Sequence, residues 1–458
     1  MKNESEKLNL NDEELEKLEA ELLPTQALRE SLEMSDRGNP KQTINNAVIV
    51  FKDDPMFKNH LRINLFRDQI EFTGDAHWKR KGIDVSEMDE IHIRHYLETE
   101  YQLVNEKKIK EALMIAGSES AYHPVREYLE SLSWDGKERI RYALHHFLGA
   151  EVNEYVYEVM KVFLLGAISR VYYPGIKFEY MLCLVGGQGA GKSTFIRFLA
   201  SRDSWFCDDI KRLDDEKVYE HLAGHWIIEI AEMLALNNAK CNEATKAFLS
   251  RQYDNYRTPF MTRAEDRPRQ CVFAGTSNMA NFLPCDRSGN RRFLPVWCDA
   301  QKAEVHILEN ETESRAYIDQ LWAEAMMIFR SGKYSLRLPR EIEKDLAKYQ
   351  APFTQEDTWA DLIRSFLEDY SGKIVCCQML YREALDMYGL PSKIENSQIM
   401  EIMSHIPGWR RFQNPRHFEK YKRQKGWERV TTSSDNQGSE SNFVDATDID
   451  NPFVTKEI

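Results

Sequence analysis

The residues with the clearest chemistry are Gly186, Gly187, Gln188, Gly189, Ala190, Gly191, Lys192 and Ser193, with Thr194 next in line. They spell G-x-x-x-x-G-K-[ST]. An apolar run, Met181-Leu-Cys-Leu-Val185, leads into them, and Thr194-Phe-Ile-Arg-Phe-Leu-Ala200 follows with helical character. Glycines at this spacing let the backbone turn inward, so that successive N–H groups and a helix N-terminus face phosphate oxygens. Lys192 is expected to reach the β- and γ-phosphates of ATP, and the Ser193 hydroxyl to ligate Mg2+. Chance would produce the motif in about one or two chains per hundred of this length, and the strand-then-helix setting lowers that severalfold.

Hydrolysis also needs an acid, and the end of a neighbouring strand is the natural place for one. Trp226-Ile-Ile-Glu-Ile-Ala-Glu-Met233 offers Glu229 and Glu232. A carboxylate in so apolar a run must be paired or functional, because burying it alone is costly. Glu232, at the C-terminal end, is the first choice for the metal or the attacking water. Glu229, three residues earlier, points to the opposite face of a regular strand and reads as a second catalytic acid or the structural partner of an arginine. Cys271-Val-Phe-Ala-Gly-Thr-Ser-Asn278 is a further apolar strand with a polar tip, where Asn278 is expected beside the γ-phosphate. An ordinary strand-end turn would also use Ser and Asn. Arg291 and Arg292 follow a Gly-Asn turn in Asp286-Arg-Ser-Gly-Asn-Arg-Arg-Phe-Leu-Pro-Val296. Paired arginines there read as an arginine finger for the next subunit's γ-phosphate, or as a salt-bridged surface loop.

These residues need a frame. From Phe178 to Cys298 short β-rich runs alternate with helical segments, which predicts an α/β fold with a parallel sheet. Its expected strands are Tyr180–Val185, Trp226–Glu232, Cys271–Thr276 and Arg292–Trp297. The expected order is an acidic arm over 1–42, with a helical stretch near Asp12 to Leu23, then a small α+β module over 43–120. In that module Ala47-Val-Ile-Val-Phe51 reads as a buried strand or short helix, and Leu61 to Phe72 as a hairpin. A helical segment over 121–177 precedes the nucleotide core at 178–350, a basic module occupies 355–430, and an acidic tail closes the chain at 431–458.

At 458 residues, 42% hydrophobic and 29% charged, the composition is that of a globular protein with more than one core. No apolar run approaches the roughly 18 residues of a membrane span. The polar N-terminus has no secretory character, so no membrane partner and a cytoplasmic location are expected. The eight cysteines form no C-x-x-C pair and read as buried thiols rather than a zinc site. The net charge of −13 averages unlike parts: ten acids against four bases over 1–33, but eleven bases against six acids over 373–429. It therefore says little about partners.

The ordered set resembles the virulence-associated protein E (VapE-like) proteins of phages and mobile genetic elements, relatives of superfamily 3 helicases within the AAA+ ATPases. The matching residues are His123-Pro-Val-Arg-Glu-Tyr-Leu-Glu-Ser-Leu-Ser-Trp-Asp-Gly136, Gly166-Ala-Ile-Ser-Arg170 and Pro174-Gly-Ile-Lys-Phe178. They continue through the phosphate loop, the Trp226–Glu232 strand, Gly275-Thr-Ser-Asn278 and Gly289-Asn-Arg-Arg-Phe293. The likeness covers about residues 45 to 330. It implies an AAA+ core and a homo-oligomeric ring, a hexamer, that hydrolyses ATP to move along DNA in the bacterial host cytoplasm. Roles pass to Lys192, Ser193, Glu232, Asn278 and one of Arg291 or Arg292. The family's DNA-gripping β-hairpin corresponds to Lys246 to Phe260, running on through Arg263, Arg267 and Arg269, with single-stranded DNA expected in the ring channel. The chain departs from the pattern in reading Glu-Ile-Ala-Glu rather than two adjacent acids, which leaves Glu229 against Glu232 open. No paired-carboxylate metal motif precedes the core, so primer synthesis is not expected.

Residues 357–429 predict helices around Trp359–Tyr370, Cys377–Met387 and Glu395–Ile406, then the basic, aromatic stretch Trp409 to Trp427. Three helices followed by a basic β-like region predict a winged-helix module that binds duplex DNA; a solvated basic face is the plainer alternative. Asp448-Ile-Asp-Asn-Pro-Phe453 in the tail is a candidate docking peptide for a host replication protein. The expected activity is an ATP-dependent DNA helicase or replication initiator. Its rivals are an AAA+ regulatory or defence ATPase that switches assembly without unwinding, and an origin-binding helicase loader.

Overall fold

The computed structural model describes residues 25–210, 218–219, 222–231, 239–256, 265–284, 290–355 and 357–430. Glu232, Arg263, most of the acidic arm and the whole acidic tail lie outside the described residues. The chain divides into two compact units, one running through Gln355 and the other beginning at 356.

Within the first unit the N-terminal module keeps a core of its own around Val50, Phe57, Phe72 and Leu97. The run Ala47–Phe51 belongs to helix α1 (Ile44–Asp53), started by Thr43, whose side chain accepts from the Asn46 N–H. Helix α1 leads to the antiparallel hairpin β1 (Leu61–Asn64) and β2 (Gln69–Phe72), in register Leu61↔Phe72, and then to α2 (Glu87–Tyr101) and α3 (Glu106–Glu119). The buried Asp54 carboxylate accepts from Tyr96 Oη at 2.9 Å and Tyr101 Oη at 2.5 Å, so its burial leaves no unmet acceptor.

Helices α4 (Pro124–Ser131), α5 (Ala143–Leu148) and α6 (Glu154–Tyr172) follow. Helix α6 is apolar nearly all round and is buried accordingly. Two of its residues explain how closely it packs. A Cβ on Gly166 would lie 2.4 Å from the Phe178 ring, which only glycine avoids. Arg170, 1% exposed, donates to the carbonyls of Cys271 at 2.6 Å and Phe178 at 2.5 Å, so buried backbone oxygens take up its charge.

The second core is a five-stranded parallel sheet in the order β4-β5-β8-β3-β9. Its strands are β3 (Met181–Gly186), β4 (Phe206–Cys207), β5 (Ile227–Ile230), β8 (Val272–Ser277) and β9 (Phe293–Cys298). Both faces are covered, which is why β3, β5 and β8 read as continuous apolar runs. Leu182, Leu184, Ile227, Val272 and Ala274 point to one core, and Cys183, Val185, Ile228 and Phe273 to the other. Helix α7 (Lys192–Leu199) packs on the first of these faces through Phe195 and Ile196. After β5 the chain forms α8 (Ala239–Leu249), and then the antiparallel pair β6 (Tyr253–Tyr256) and β7 (Glu265–Pro268). Helices α9 (Glu311–Arg330) and α10 (Arg340–Gln350) complete the unit.

The C-terminal unit begins with α11 (Thr358–Asp369) and β10 (Ile374–Cys376). The helix expected over Cys377–Met387 breaks into one α-turn, Cys377–Met379, and a π-turn, Leu380–Ala384. Then come α12 (Lys393–Ser404), β11 (Trp409–Arg411), the hairpin β12 (Arg416–Phe418) with β13 (Lys422–Gln424), and β14 (Gly426–Arg429). The sheet order is β10-β14-β11, antiparallel throughout, over a core that includes Ile363, Val375, Ile399 and Trp427.

Candidate nucleotide site

The loop Gly186–Thr194 joins the C-terminal end of β3 to α7. Gly186 passes so close to β9 that a Cβ there would sit 2.1 Å from the Cys298 carbonyl oxygen. Gly189 and Gly191 take left-handed backbone at φ +80° and +81°, which side-chain-bearing residues rarely adopt. Ala190 is buried, whereas Gly187, Gln188, Gly189 and Ser193 face outward. Between the loop and the tips of β5 and β8 lies a cavity of about 350 Å³, bounded by Gln188 to Thr194 on one side and by Ala231 and Thr276 to Asn278 on the other.

Lys192 is 6% exposed and its ammonium is fully engaged. Nζ donates to the carbonyls of Gly186 at 2.8 Å and Gly187 at 2.7 Å and to Asn278 Oδ1 at 3.1 Å. Burial pulls its pKa below the ordinary lysine range. The P-loop lysine and the polar tip of β8 therefore meet, although 86 residues separate them.

The acid beside the loop is Glu229. Its Oε1 accepts the Ser193 hydroxyl at 2.6 Å and the Thr276 hydroxyl at 2.7 Å, and the residue is 1% exposed. The reason is parity. Glu229 shares a face with Ile227, and that is the face on which α7 packs, so the first residues of α7 look down on it. The preferred acid, Glu232, lies outside the described residues. Sequence reasoning missed Thr276. The signal was available, since Thr276 has the parity of Val272 and Ala274, which face the same core as Ile227.

Hydroxyl and carboxylate oxygens are hard donors suited to Mg2+, which keeps few protein ligands when phosphates supply the rest. Among the described residues no group of three or more His, Cys, Asp or Glu side chains is arranged to hold a metal by itself. The donors present thus fit a cation shared with a triphosphate, with the Ser193 hydroxyl as the donor on the cavity and Glu229 behind it.

Arg291 and Arg292 are not brought to this site. Both flank the Glu179 carboxylate, at 3.6 and 3.4 Å, and Arg292 also donates to Ser250 Oγ at 2.9 Å. They precede the N-terminal end of β9, whereas the loop follows the C-terminal end of β3. With Met181↔Phe293 and Gly186↔Cys298 in register, the separation is the length of a six-residue strand, about 20 Å. The side chain of Arg291 is 65% exposed.

Between acid and sensor, β6 and β7 form an antiparallel pair where the hairpin is expected; residues 257–264 lie outside the described residues. Two of the basic residues there are held in ion pairs within the chain. Arg269, 1% exposed in its side chain, makes a two-pronged ion pair with buried Asp254 at 2.6 and 2.8 Å. Arg267 pairs with Asp68 in the β1–β2 turn. Lys246 is a buried residue of α8. His123, first of the diagnostic motif, is structural as well. Its Nδ1 accepts from the Arg126 N–H at 3.4 Å to cap α4, and Nε2 lies 2.7 Å from Gln270 Oε1.

A parallel sheet with a strand, a glycine loop and a helix over a buried acid defines a P-loop-like core. Residues 129–355 match the family model of the virulence-associated protein E-like domain. No curated protein matches the chain. Among solved structures, the apo structure of NrS-1 C-terminal region (305–718) is 11% identical, with a TM-score of 0.43, over 81% of this chain and 96% of that one. The A-form apo structure of the same region is 12% identical with a TM-score of 0.44, over the same shares.

Proposed function

We propose that the chain is an ATP hydrolase of the AAA+ class that assembles into a ring and acts on DNA in the replication of a phage or mobile genetic element. The observation that carries the ATPase is the meeting of four residues from three elements: Lys192 on Asn278, and Ser193 on Glu229. Lys192 exchanges its three oxygen acceptors for phosphate oxygens when the substrate enters. Ser193, its proton donated to Glu229, would hold the metal through its hydroxyl oxygen, and Asn278 would orient the attacking water beside the γ-phosphate. Mg2+ bound there neutralises phosphate charge. Glu232 is the proposed base for the water.

The ring is supported by the distance of Arg291 and Arg292 from their own loop. An exposed arginine at the far end of the sheet serves a neighbour's site, not its own. The DNA step is supported by the C-terminal unit. Its order of helix, strand, short helical turn, helix, strand, hairpin, strand supports the winged-helix reading, with β12–β13 proposed as the wing.

Strand displacement on a forked duplex, wild type against Lys192→Ala, tests the motor. Expected is displacement and DNA-stimulated hydrolysis by wild type alone. Hydrolysis that DNA does not stimulate, with no displaced strand, would assign the chain instead to the regulatory or loader class.

A further inference from the structure

Thr276 is the last but one residue of β8, 6% exposed, and its hydroxyl proton goes to Glu229 Oε1 at 2.7 Å. The Ser193 hydroxyl uses the same oxygen at 2.6 Å. Glu229 is 1% exposed, so water cannot orient its carboxylate; these two hydroxyls do. The two donors come from different elements. Ser193 opens α7, whereas Thr276 belongs to a strand hydrogen-bonded to β5 itself, with Glu229↔Ala274 in register. The Thr276 bond therefore ties the acid to the rigid sheet, and the Ser193 bond ties the loop to the acid.

A hydroxyl whose proton is committed still has lone pairs to offer. Ser193 is exposed to the cavity and can present its oxygen there while donating to Glu229. If the carboxylate swings, that orientation is lost. We infer that Thr276 is a positioning residue for the metal-binding end of the site: by clamping Glu229 it sets the direction in which Ser193 offers its oxygen to the divalent cation that accompanies the triphosphate. The inference rests on the proposal that the site takes ATP with Mg2+.

Valine has nearly the shape of threonine and suits a buried strand equally well, so Thr276→Val removes the hydroxyl with little change in packing. Thr276→Ser keeps the hydroxyl and loses the methyl. Mn2+ affinity of the full chain in the presence of ADP, followed by electron paramagnetic resonance, reads the site without requiring turnover. Thr276→Val is expected to weaken Mn2+ binding about tenfold, the lower range for loss of a group that orients a metal ligand. ADP binding in EDTA should stay within about twofold, the variant should remain folded at the assay temperature despite a melting temperature lowered by the lost buried hydrogen bond, and Thr276→Ser should restore most of the affinity. Equal Mn2+ affinity in wild type and Thr276→Val, or a serine variant as weak as the valine, overturns the inference. A wild-type chain that binds Mn2+ with ADP yet hydrolyses no ATP defeats the ATPase proposal and leaves Thr276 to the metal measurement. A wild-type chain that takes up no Mn2+ with nucleotide defeats both.

Discussion

Lys192 Nζ lies 3.1 Å from Asn278 Oδ1, so the phosphate loop and the tip of β8 are in direct contact. The two residues should nevertheless fail differently. Lys192→Ala removes a cation that binds phosphate in ground and transition states alike, so both nucleotide affinity and turnover should be lost. Asn278→Ala removes a neutral dipole aimed at the reacting end, so kcat should fall about 10²-fold with KM within about threefold. Steady-state kinetics separate them. An Asn278 variant with a raised KM and unchanged kcat would remove Asn278 from the chemistry.

Arg291 and Arg292 share Glu179 but not their surroundings. Arg292 is 20% exposed and bonded to Ser250, whereas Arg291 is the exposed member. Arg291→Ala should lower hydrolysis by about 10³-fold, as expected for a lost arginine finger. It should shift stability by no more than about 0.5 kcal/mol, as a surface change does. Mixed with Lys192→Ala subunits it should recover part of the activity, because some interfaces then carry both an intact loop and an intact arginine. No recovery in particles verified as mixed would put the finger elsewhere.

How much of this was legible beforehand follows physical lines. The phosphate loop was readable because its backbone demands glycine at fixed spacing, and the parallel strands because burial on both faces makes them uniformly apolar. The parity of Glu229 was legible too, but not which face α7 would cover, since Phe195 and Ile196 select it only when the chain packs. Thr276 was hidden for the same reason. Arg269 was misleading: beside Arg267 and Tyr253 it has the composition of a DNA contact, and only the fold reveals Asp254 beneath it. The run Ala47–Phe51 was too short for its period to distinguish helix from strand, and the Thr43 cap decided it.

The Arg269–Asp254 pair should matter to stability rather than to DNA. Removing one partner leaves a buried charge uncompensated, so Arg269→Met or Asp254→Leu should each cost about 3–5 kcal/mol. The double variant should recover most of that. Urea unfolding measures it. If Arg269→Met leaves stability unchanged and weakens DNA binding instead, the hairpin stem is a DNA surface after all.

His123 gives the first unit a pH dependence. Burial is the main cause that lowers its pKa, from 6.5 to about 4, and nearby Arg126 adds to it, against the opposing bond to Gln270. A depressed value means that the unfolded chain binds the proton more readily, so the stabilisation is complete above about pH 6.5 and is lost as the pH falls towards 4. The amount is about 3 kcal/mol. Protonation also removes the Nδ1 acceptor that caps α4. His123→Asn keeps a capping oxygen without titrating, and should flatten the stability profile between pH 6.5 and 4. A variant with the same slope as wild type would trace the acid sensitivity to another group.

In the C-terminal unit, ion pairs decide which bases are left unneutralised. Arg410 and Arg416 both hold Glu428, at 3.0 and 2.6 Å, and Lys420 lies 3.4 Å from Glu383. The outward charge of the β12–β13 hairpin and the turn after it therefore falls to Lys422, Arg423 and Lys425, all exposed. If these three neutralise phosphates, Lys422→Gln/Arg423→Gln/Lys425→Gln should lower the slope of log affinity against log salt by about 2–3, close to one per lost contact. Affinity for duplex DNA at moderate salt should fall about 10–100-fold, with little change among sequences, because phosphate contacts carry no sequence information. Basal ATP hydrolysis should not change, since none of the three belongs to the unit that holds the loop. Deletion of residues 357–458 should reproduce the loss of duplex binding and also spare hydrolysis. Unaltered affinity and salt slope in the triple variant would leave the basic wing as a solvated surface and move duplex binding off this unit.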